Sequence, residues 1–376
     1  MSNVLTGKPQ LNRFVNRRLI LDKIRRDGQI SRAELAKQTA IRPPTVSAVV
    51  KDLISEGLVE DIGTGETSGG RAPRMIALSR NQPLAIGFEM SETGILAGLC
   101  DLSGKLSTKY KIPFSPLPPE QAIDELYKIG SKLIQDAGIT WQALHGVGVA
   151  LPGHLNISEG SVRWSSPFNW RDVPFKKLCE DRWGVTTDLV NDSLAGGMAA
   201  HLIETSQTVE NLVFLYLRFQ DTTHGVVGLG TGIIINGEPY HGEFGAAGEI
   251  TTPVTHPLVH AEKAGHSFNT VESLTNAVQS GDPSAQAALE SVGNEISTLV
   301  QHIVNLLEPG ILMIGSDAPV LCEILLEQLR KILEEQSLAY EAGKTQVVAS
   351  TLGEYGVVRG AIVPTLQRVF RIPQWS

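Results

Sequence analysis

The chain has 376 residues, 42% of them hydrophobic and 19% charged, with a formal net charge of −8. That length exceeds one ordinary core and implies two or three domains, and the composition is that of a globular protein rather than a disordered or fibrous one. No apolar run approaches the roughly 18 residues of a membrane span, and the first residues lack a signal-peptide core. Three scattered cysteines, Cys100, Cys179 and Cys322, suit a reducing compartment rather than a disulfide framework, so the cytoplasm is the expected location.

Charge is unevenly spread. Residues 1–80 hold 14 Lys and Arg against 8 Asp and Glu, a net of +6, which leaves −14 for the remainder. A basic segment in front of an acidic body points to a polyanion met by the N-terminus alone.

The elements predicted there agree. "NRFVNRRLILDKIRRDG" places Phe14, Leu19, Ile20 and Ile24 on one helical face, keeps Arg13, Arg17, Arg18, Arg25 and Arg26 outside, and stops at Gly28. "SRAELAKQTA" opens with a capping box, Ser31 to Glu34. A corner of Ile41, Arg42 and Pro43 leads into "PTVSAVVKDLISEG", where Pro44 suits a first helical turn and Gly57 a C-terminal stop. Helix, tight turn, helix is the helix-turn-helix pattern, whose second helix lies in the DNA major groove. "LVEDIGTGETSGGRAPRMIAL" then reads as a wing: extended runs Leu58–Ile62 and Arg74–Leu78 around a Gly-, Thr- and Ser-rich loop. Arg42, Thr45, Ser47 and Lys51 are the candidate contacts of the second helix with DNA, and Arg71 and Arg74 flank the wing's end, where arginine suits a minor groove. A winged helix also serves as a protein-protein module, but the basic excess favours DNA.

From Leu84 onward strands and helices alternate. "LAIGFEM", "GILAGLCDL", "GVGVAL", "NLVFLYLRF", "GVVGLGTGIIING" and "GILMIG" predict strands, and "PPEQAIDELYKIGSKLIQDAG", "SAQAALESVGNEISTLVQHIVNLL" and "APVLCEILLEQLRKILEEQ" predict helices. The fold class is α/β, long enough for two lobes with a ligand cleft between them.

Several stretches of this body, in order, resemble the ROK family of repressors, open reading frames and sugar kinases. "GFEMSETGILAGLCDLSG" is similar to its first phosphate hairpin, "GVGVALPGHLN" to its Pro-Gly turn (here Pro152-Gly153), and "VNDSLAGGMAAH" to its sugar-site Asn-Asp pair. "GTGIIINGEPYHGEFGAAGEI" resembles its glycine-rich strand and Ala-Gly-Glu, and "NLLEPGILMIGS" and "LGEYGVVRGA" its C-terminal signatures. The resemblance implies a winged helix-turn-helix domain over 1–80 and a two-lobed, actin-like (ribonuclease H-type) sugar-kinase fold over 81–376. Lobe one would take about 81–195 plus the C-terminal end, and lobe two about 196–355. With the winged helix in front, the chain looks like the family's regulators, relatives of the xylose-, N-acetylglucosamine- and glucose-responsive repressors.

The resemblance carries Asn191, Asp192, Glu249 and Gly153 over as sugar-binding residues, the aspartate doubling in the kinases as general base. The chemistry suits this, since a carboxylate accepts from two hydroxyls and an amide both donates and accepts. The pair "ND" also reads as a helix N-cap, and both roles are compatible. On the nucleotide side the kinase pattern is altered. Its Asp, small turn residue and Thr become Glu89, Ser91 and Thr93, and the first Gly-Thr of its later phosphate segment becomes Val226-Val227. Phosphoryl transfer depends on positioned phosphates, so no catalytic residues and no kinase activity are expected. The family's zinc site is expected to be absent too: its His aligns with Thr252, and no cysteine follows. His256, His260 and His266 remain, and three histidines can bind zinc, but their spacings match no zinc signature and favour surface or ligand-proximal histidines; Glu272 aligns loosely with a family sugar-site glutamate.

The expected function is a sugar-responsive DNA-binding repressor, without cofactor, that acts as a dimer or tetramer on a roughly palindromic double-stranded operator. The alternatives are an ATP-dependent sugar kinase with an attached DNA-binding head and a regulator whose effector is a protein.

Overall fold

The computed structural model describes residues 9–65, 72–79, 85–205, 208–220, 224–337 and 345–370. The head comprises α1 (Pro9–Asp27), β1 (Gln29–Ser31), α2 (Arg32–Thr39), α3 (Pro43–Ser55), β2 (Val59–Thr64) and β3 (Arg74–Leu78). In α1 the buried stripe is Ile20, Leu21 and Ile24, whereas Leu19 is 37% exposed, so the apolar face is rotated from the one predicted. Ser31 caps α2 by accepting from the Glu34 N–H at 3.1 Å. The corner is made by Ala40 at φ 56°, a left-handed backbone that a Cβ disfavours. Pro43 and Pro44 begin α3, where a missing N–H costs nothing, and Val46, Val49, Val50 and Leu53 face inward. β1, which the sequence reading lacks, completes a three-stranded wing sheet of order β1-β3-β2.

The first lobe begins with β4 (Ala85–Met90), β5 (Gly94–Cys100), β6 (Leu106–Pro113) and α4 (Pro119–Ala137). It continues through β7 (Gly146–Leu151), a small sheet of β8 (His154–Asn156), β9 (Ser161–Ser165) and β10 (Trp170–Val173), then α5 (Phe175–Trp183) and β11 (Thr187–Asn191). Helix α6 (Asp192–Ala199), extended by a π-helical turn, crosses to the second lobe. There follow β12 (Leu212–Arg218), β13 (Gly228–Ile235), β14 (Glu238–Pro239), α7 (Pro257–Lys263), α8 (Val271–Gln279) and α9 (Pro283–Leu307). β15 (Ile311–Ser316), α10 (Pro319–Gln336) and β16 (Gln346–Ala349) complete that lobe, and α11 (Gly356–Ala361) and α12 (Val363–Phe370) return to the first.

The two five-stranded sheets, β11-β7-β4-β5-β6 and β14-β13-β12-β15-β16, share one topology: an antiparallel three-strand meander extended by two parallel strands. α4 and α5 cover the outer face of the first, packing around Phe88, Leu126, Val149 and Trp183, and α9 and α10 cover that of the second. α6 and α11 lie between the sheets. Gly148 of β7 allows this approach, since a Cβ there would stand 2.0 Å from the Ala361 carbonyl oxygen. No helix of the described residues is long and apolar enough to cross a membrane.

Head and body share a core. Ile20, Leu21, Ile24 and Ile76 of the head pack in one cluster with Cys100, Leu102, Ile362 and Leu366 of the body. Arg18 of α1 donates to the Arg368 carbonyl of α12 at 2.6 Å. The side chain of Arg368 in turn binds Asp188 on β11, and Thr365 reaches the same carboxylate at 2.8 Å.

Candidate functional site

Where β11 gives way to α6, the chain places Asn191 and Asp192 at the meeting of the two lobes, Asn191 bound to Gly153 of the first and Asp192 to Arg218 of the second. Asn191 is the N-cap: its Oδ1 accepts from the N–H groups of Ser193 and Leu194 at 3.0 and 3.1 Å, and its Nδ2 donates to the Gly153 carbonyl at 3.3 Å. The capping role is thus realised, and both ends of the amide are engaged within the protein. Gly153 sits at φ 132°, and a Cβ there would meet the Trp164 carbonyl oxygen at 2.5 Å, so only glycine fits this turn.

Asp192 is nearly buried and fully engaged. Oδ1 accepts from the Ser193 N–H at 2.7 Å and its hydroxyl at 3.2 Å, while Oδ2 accepts from the Arg218 guanidinium at 2.6 Å. Arg218 ends β12, lies 5.1 Å from the Tyr216 ring centroid and feels the charges of Glu89 and Asp317. Asp317 accepts from the N–H groups of Phe219 and Gln220 at 2.8 and 3.1 Å. Glu89, on β4, turns inward with Oε2 buried and without a hydrogen-bond partner among the described residues. Desolvation pushes its carboxyl up to about 8, against the pull of Arg218 and helped by Asp192 and Glu354, so at neutral pH it is chiefly the protonated acid. Glu249 is exposed at the rim. Its carboxyl is raised by desolvation and by Asp192, and drawn down by His154 and Arg218, which places it beside this cluster.

The opposite wall is occupied by packing. Ser91 closes its own turn, its Oγ accepting from the Gly94 N–H at 3.0 Å and its N–H donating to the Gly94 carbonyl at 2.9 Å. Val227 is buried and donates to the Val254 carbonyl at 2.8 Å. Gly230 pairs with Tyr216 in the β12–β13 ladder, and a Cβ on it would lie 1.8 Å from Ser193 Oγ. The glycines of "GLGTG" therefore let β13 seat on α6.

His256 is buried and structural: Nδ1 accepts from the Leu258 N–H at 3.2 Å, so Nε2 carries the proton and donates to the Phe219 carbonyl at 2.8 Å. His260 lies 2.9 Å from Glu295, and His266 is exposed. Among the described residues no group of three or more His, Cys, Asp or Glu is placed to hold a metal ion. Glu272 is exposed in the first turn of α8.

On the head, Arg42, the N-cap of α3, is exposed, as are Ser47 and Lys51 on the side of the helix away from its valines, and Thr45 is half-buried. Among the described residues neither Arg42 nor Lys51 forms an ion pair. Arg74 is exposed but pairs with Asp61 across the wing at 3.0 Å. Arg71 lies outside the described residues. The arginines of α1 are largely engaged: Arg13 with Asp52, Arg17 with Glu56, and Arg25 and Arg26 with Asp22. Two cleft residues escaped the sequence reading. Arg218 had a signal, a lone cation at the end of the apolar run "NLVFLYL"; His154, whose Nε2 meets the Phe244 carbonyl, had none.

Comparison with known proteins gives two family matches, the ROK family over residues 85–256 and a winged helix-turn-helix DNA-binding model over 15–60. The xylose repressor of Caldicellulosiruptor bescii is 23% identical over 98% of this chain and 100% of its own. The DNA-binding transcriptional dual regulator NagC of Escherichia coli is 22% identical over 95% of each. Among solved structures, a ROK family transcriptional regulator described as a homolog of the E. coli MLC protein superposes with TM-score 0.77 at 19% identity, over 96% of this chain and 98% of that one. A ROK family glucokinase from Streptomyces griseus, in complex with glucose and AMPPNP, superposes with TM-score 0.62 at 19% identity, over 74% of this chain and 97% of its own. The chain therefore carries a ROK family domain behind an N-terminal winged helix-turn-helix DNA-binding domain.

Proposed function

We propose that the protein is a DNA-binding transcriptional repressor whose cleft senses a sugar. The observation that carries this reading is a continuous one: a helix whose Arg42 and Lys51 form no ion pair among the described residues shares its core with a body that brings Asn191 and Asp192, with Glu249 nearby, to the meeting of the two lobes. Relatives along nearly the whole chain are named repressors, which supports the same conclusion. Arg42, Thr45, Ser47 and Lys51 would meet DNA, with Arg71 and Arg74 beside them. Asp192, Glu249 and the turn at Gly153 would meet the sugar, with Asn191 holding the turn in place. Two copies would present two recognition helices to successive major grooves of a palindromic operator in the cytoplasm.

The protein is proposed not to be a kinase. A general base needs a free carboxylate, and Asp192 is bound to Arg218. Val227 and Ser91 already occupy the backbone groups a phosphate would need. No metal or other cofactor enters the reading.

The coupling route is physical. Asp188 stands three residues before Asn191, is bound by Arg368 and Thr365 of α12, and α12 holds α1 through Arg18. α1 pairs with α3 through Arg13–Asp52 and Arg17–Glu56. A sugar that moves β11 against α12 therefore shifts the seat of the recognition helix, by no more than its differential affinity for the two arrangements. The test is fluorescence anisotropy of DNA from the protein's own upstream region with a panel of sugars and sugar phosphates, alongside ATP turnover. Release by one sugar without turnover supports the reading. Sugar-dependent turnover, or DNA binding that no sugar alters, counts against it.

A further inference from the structure

The small sheet β8–β10 carries chemistry beyond that of Asn191, Asp192 and Glu249. His154 pairs with Trp164, and Trp164 with Arg171, across its three strands. Directly paired residues of antiparallel strands share a face, so an imidazole, an indole and a guanidinium form one row. Arg171 lies 5.8 Å from the Trp164 ring centroid, and Trp164 is nonetheless 48% exposed. From the second lobe, the loop after β14 leans on the same edge: the Phe244 carbonyl meets His154 Nε2, and a Cβ on Gly245 would lie 2.3 Å from the Leu155 carbonyl oxygen. Phe244 itself is 81% exposed.

Two uncovered aromatic residues, one from each lobe, thus belong to the immediate neighbourhood of His154. His154 follows Gly153, whose carbonyl holds Asn191, and its charge is felt by Glu249. The row starts at the cleft and leads outward. A pyranose ring has an apolar C–H face and a rim of hydroxyls. Its polarised C–H bonds suit the negative face of an aromatic ring, and its hydroxyls suit donors such as imidazole and guanidinium. An indole set between those two groups matches that alternation, whereas a protein partner favours a broader continuous apolar patch.

We infer that the ligand is a glycan of at least two units, or a glycoside with a ring-sized substituent: the first ring enters the cleft and the second lies on Trp164 and Phe244 at its mouth. The inference rests on the reading of the cleft as a sugar site and adds the size class of the ligand.

The test is calorimetry on the full chain with matched pairs: glucose and cellobiose, xylose and xylobiose, N-acetylglucosamine and its β-1,4 dimer. In one pair the disaccharide should bind about ten-fold more tightly than the monosaccharide. Trp164→Ala and Phe244→Ala should each remove most of that ratio while leaving monosaccharide affinity within about two-fold. Trp164→Phe should restore part of it. Both side chains are exposed, so thermal melts unchanged from the parent establish that the variants fold. A monosaccharide that binds as well as its dimer, or a ratio that survives both substitutions, overturns the inference; the cleft reading still stands if Asp192→Asn abolishes that binding. If no member of any pair binds, the sugar reading falls and this inference with it.

Discussion

The recognition helix and the cleft treat their charges in opposite ways. On α3, Arg42 and Lys51 stand exposed and, among the described residues, without an ion pair. In the cleft Arg218 is bound to Asp192, Asp317 holds two backbone amides, and both ends of the Asn191 amide are engaged. The arginines of α1 belong with the cleft in this respect, although they lie in the same basic segment as α3. A surface that meets a polyanion keeps its cations available, because an internal salt bridge has to break before a phosphate replaces it. A site that holds its shape before the ligand arrives satisfies its polar groups internally. Counting charge along the sequence distinguishes neither case.

The sharpest test of this contrast is Asp192→Ala, which leaves the largely buried Arg218 without its partner and should cost about 3 kcal/mol in urea unfolding. The double variant Asp192→Ala, Arg218→Met should recover much of that loss; if it does not, the pair is not what the cleft is built around. Glu89 comes next. Its carboxyl is raised from 4.5 to about 8, so between those values the folded protein retains a proton that the unfolded chain has released. Stability should therefore fall as pH rises through that window and level off above it, and Glu89→Gln should flatten the profile of urea midpoints. A wild-type profile already flat there would mean that Glu89 is solvated.

On the DNA side, Arg42→Ala and Lys51→Ala should each weaken operator binding by about 1 kcal/mol and lower the slope of log affinity against log salt by about one phosphate contact. Arg13→Ala should change that affinity by less than about two-fold, since its charge is already engaged with Asp52. Equal effects from the two helices would erase the distinction between them. The smallest expected change is at the corner of the head: Ala40→Gly relieves a left-handed alanine and should raise stability by about 0.5 kcal/mol in thermal melts, with DNA affinity unaltered.

Elements with strong local signals were legible from the sequence. The Ser31 cap, Pro44 in the first turn of α3 and the long helices α4, α9 and α10 all lie where residue spacing places them, although α3 starts one residue earlier, at Pro43. β1 and the β8–β10 sheet were not, because strands of three to five residues leave too little alternation to read. β6, "LSTKYKIP", alternates well but carries polar residues on its outer face as an edge strand, and no apolar run marks it. In the cleft, the Asn-Asp pair could be found from its order among other motifs. That Arg218 takes up the aspartate could not, since the two are 26 positions apart and meet only when β13 draws β12 onto α6. The resemblance assigns the glycines of "GLGTG" to phosphate chemistry, whereas in the fold Gly230 and Gly232 give clearance to Ser193.

The core shared by Ile20, Leu21 and Ile24 with Ile362 and Leu366 also bears on how such a protein diversifies. A head that ends near residue 80 in the sequence has no such end in space, and its first helix is as much a tenant of the last one as of its own domain. Exchange of whole heads between relatives would leave α12 facing an unfamiliar partner. On the proposed reading, new operators would be reached more easily by changing Ser47 or Lys51, both exposed on α3, and new ligands by changing the rim of the cleft, with the shared core left as it is.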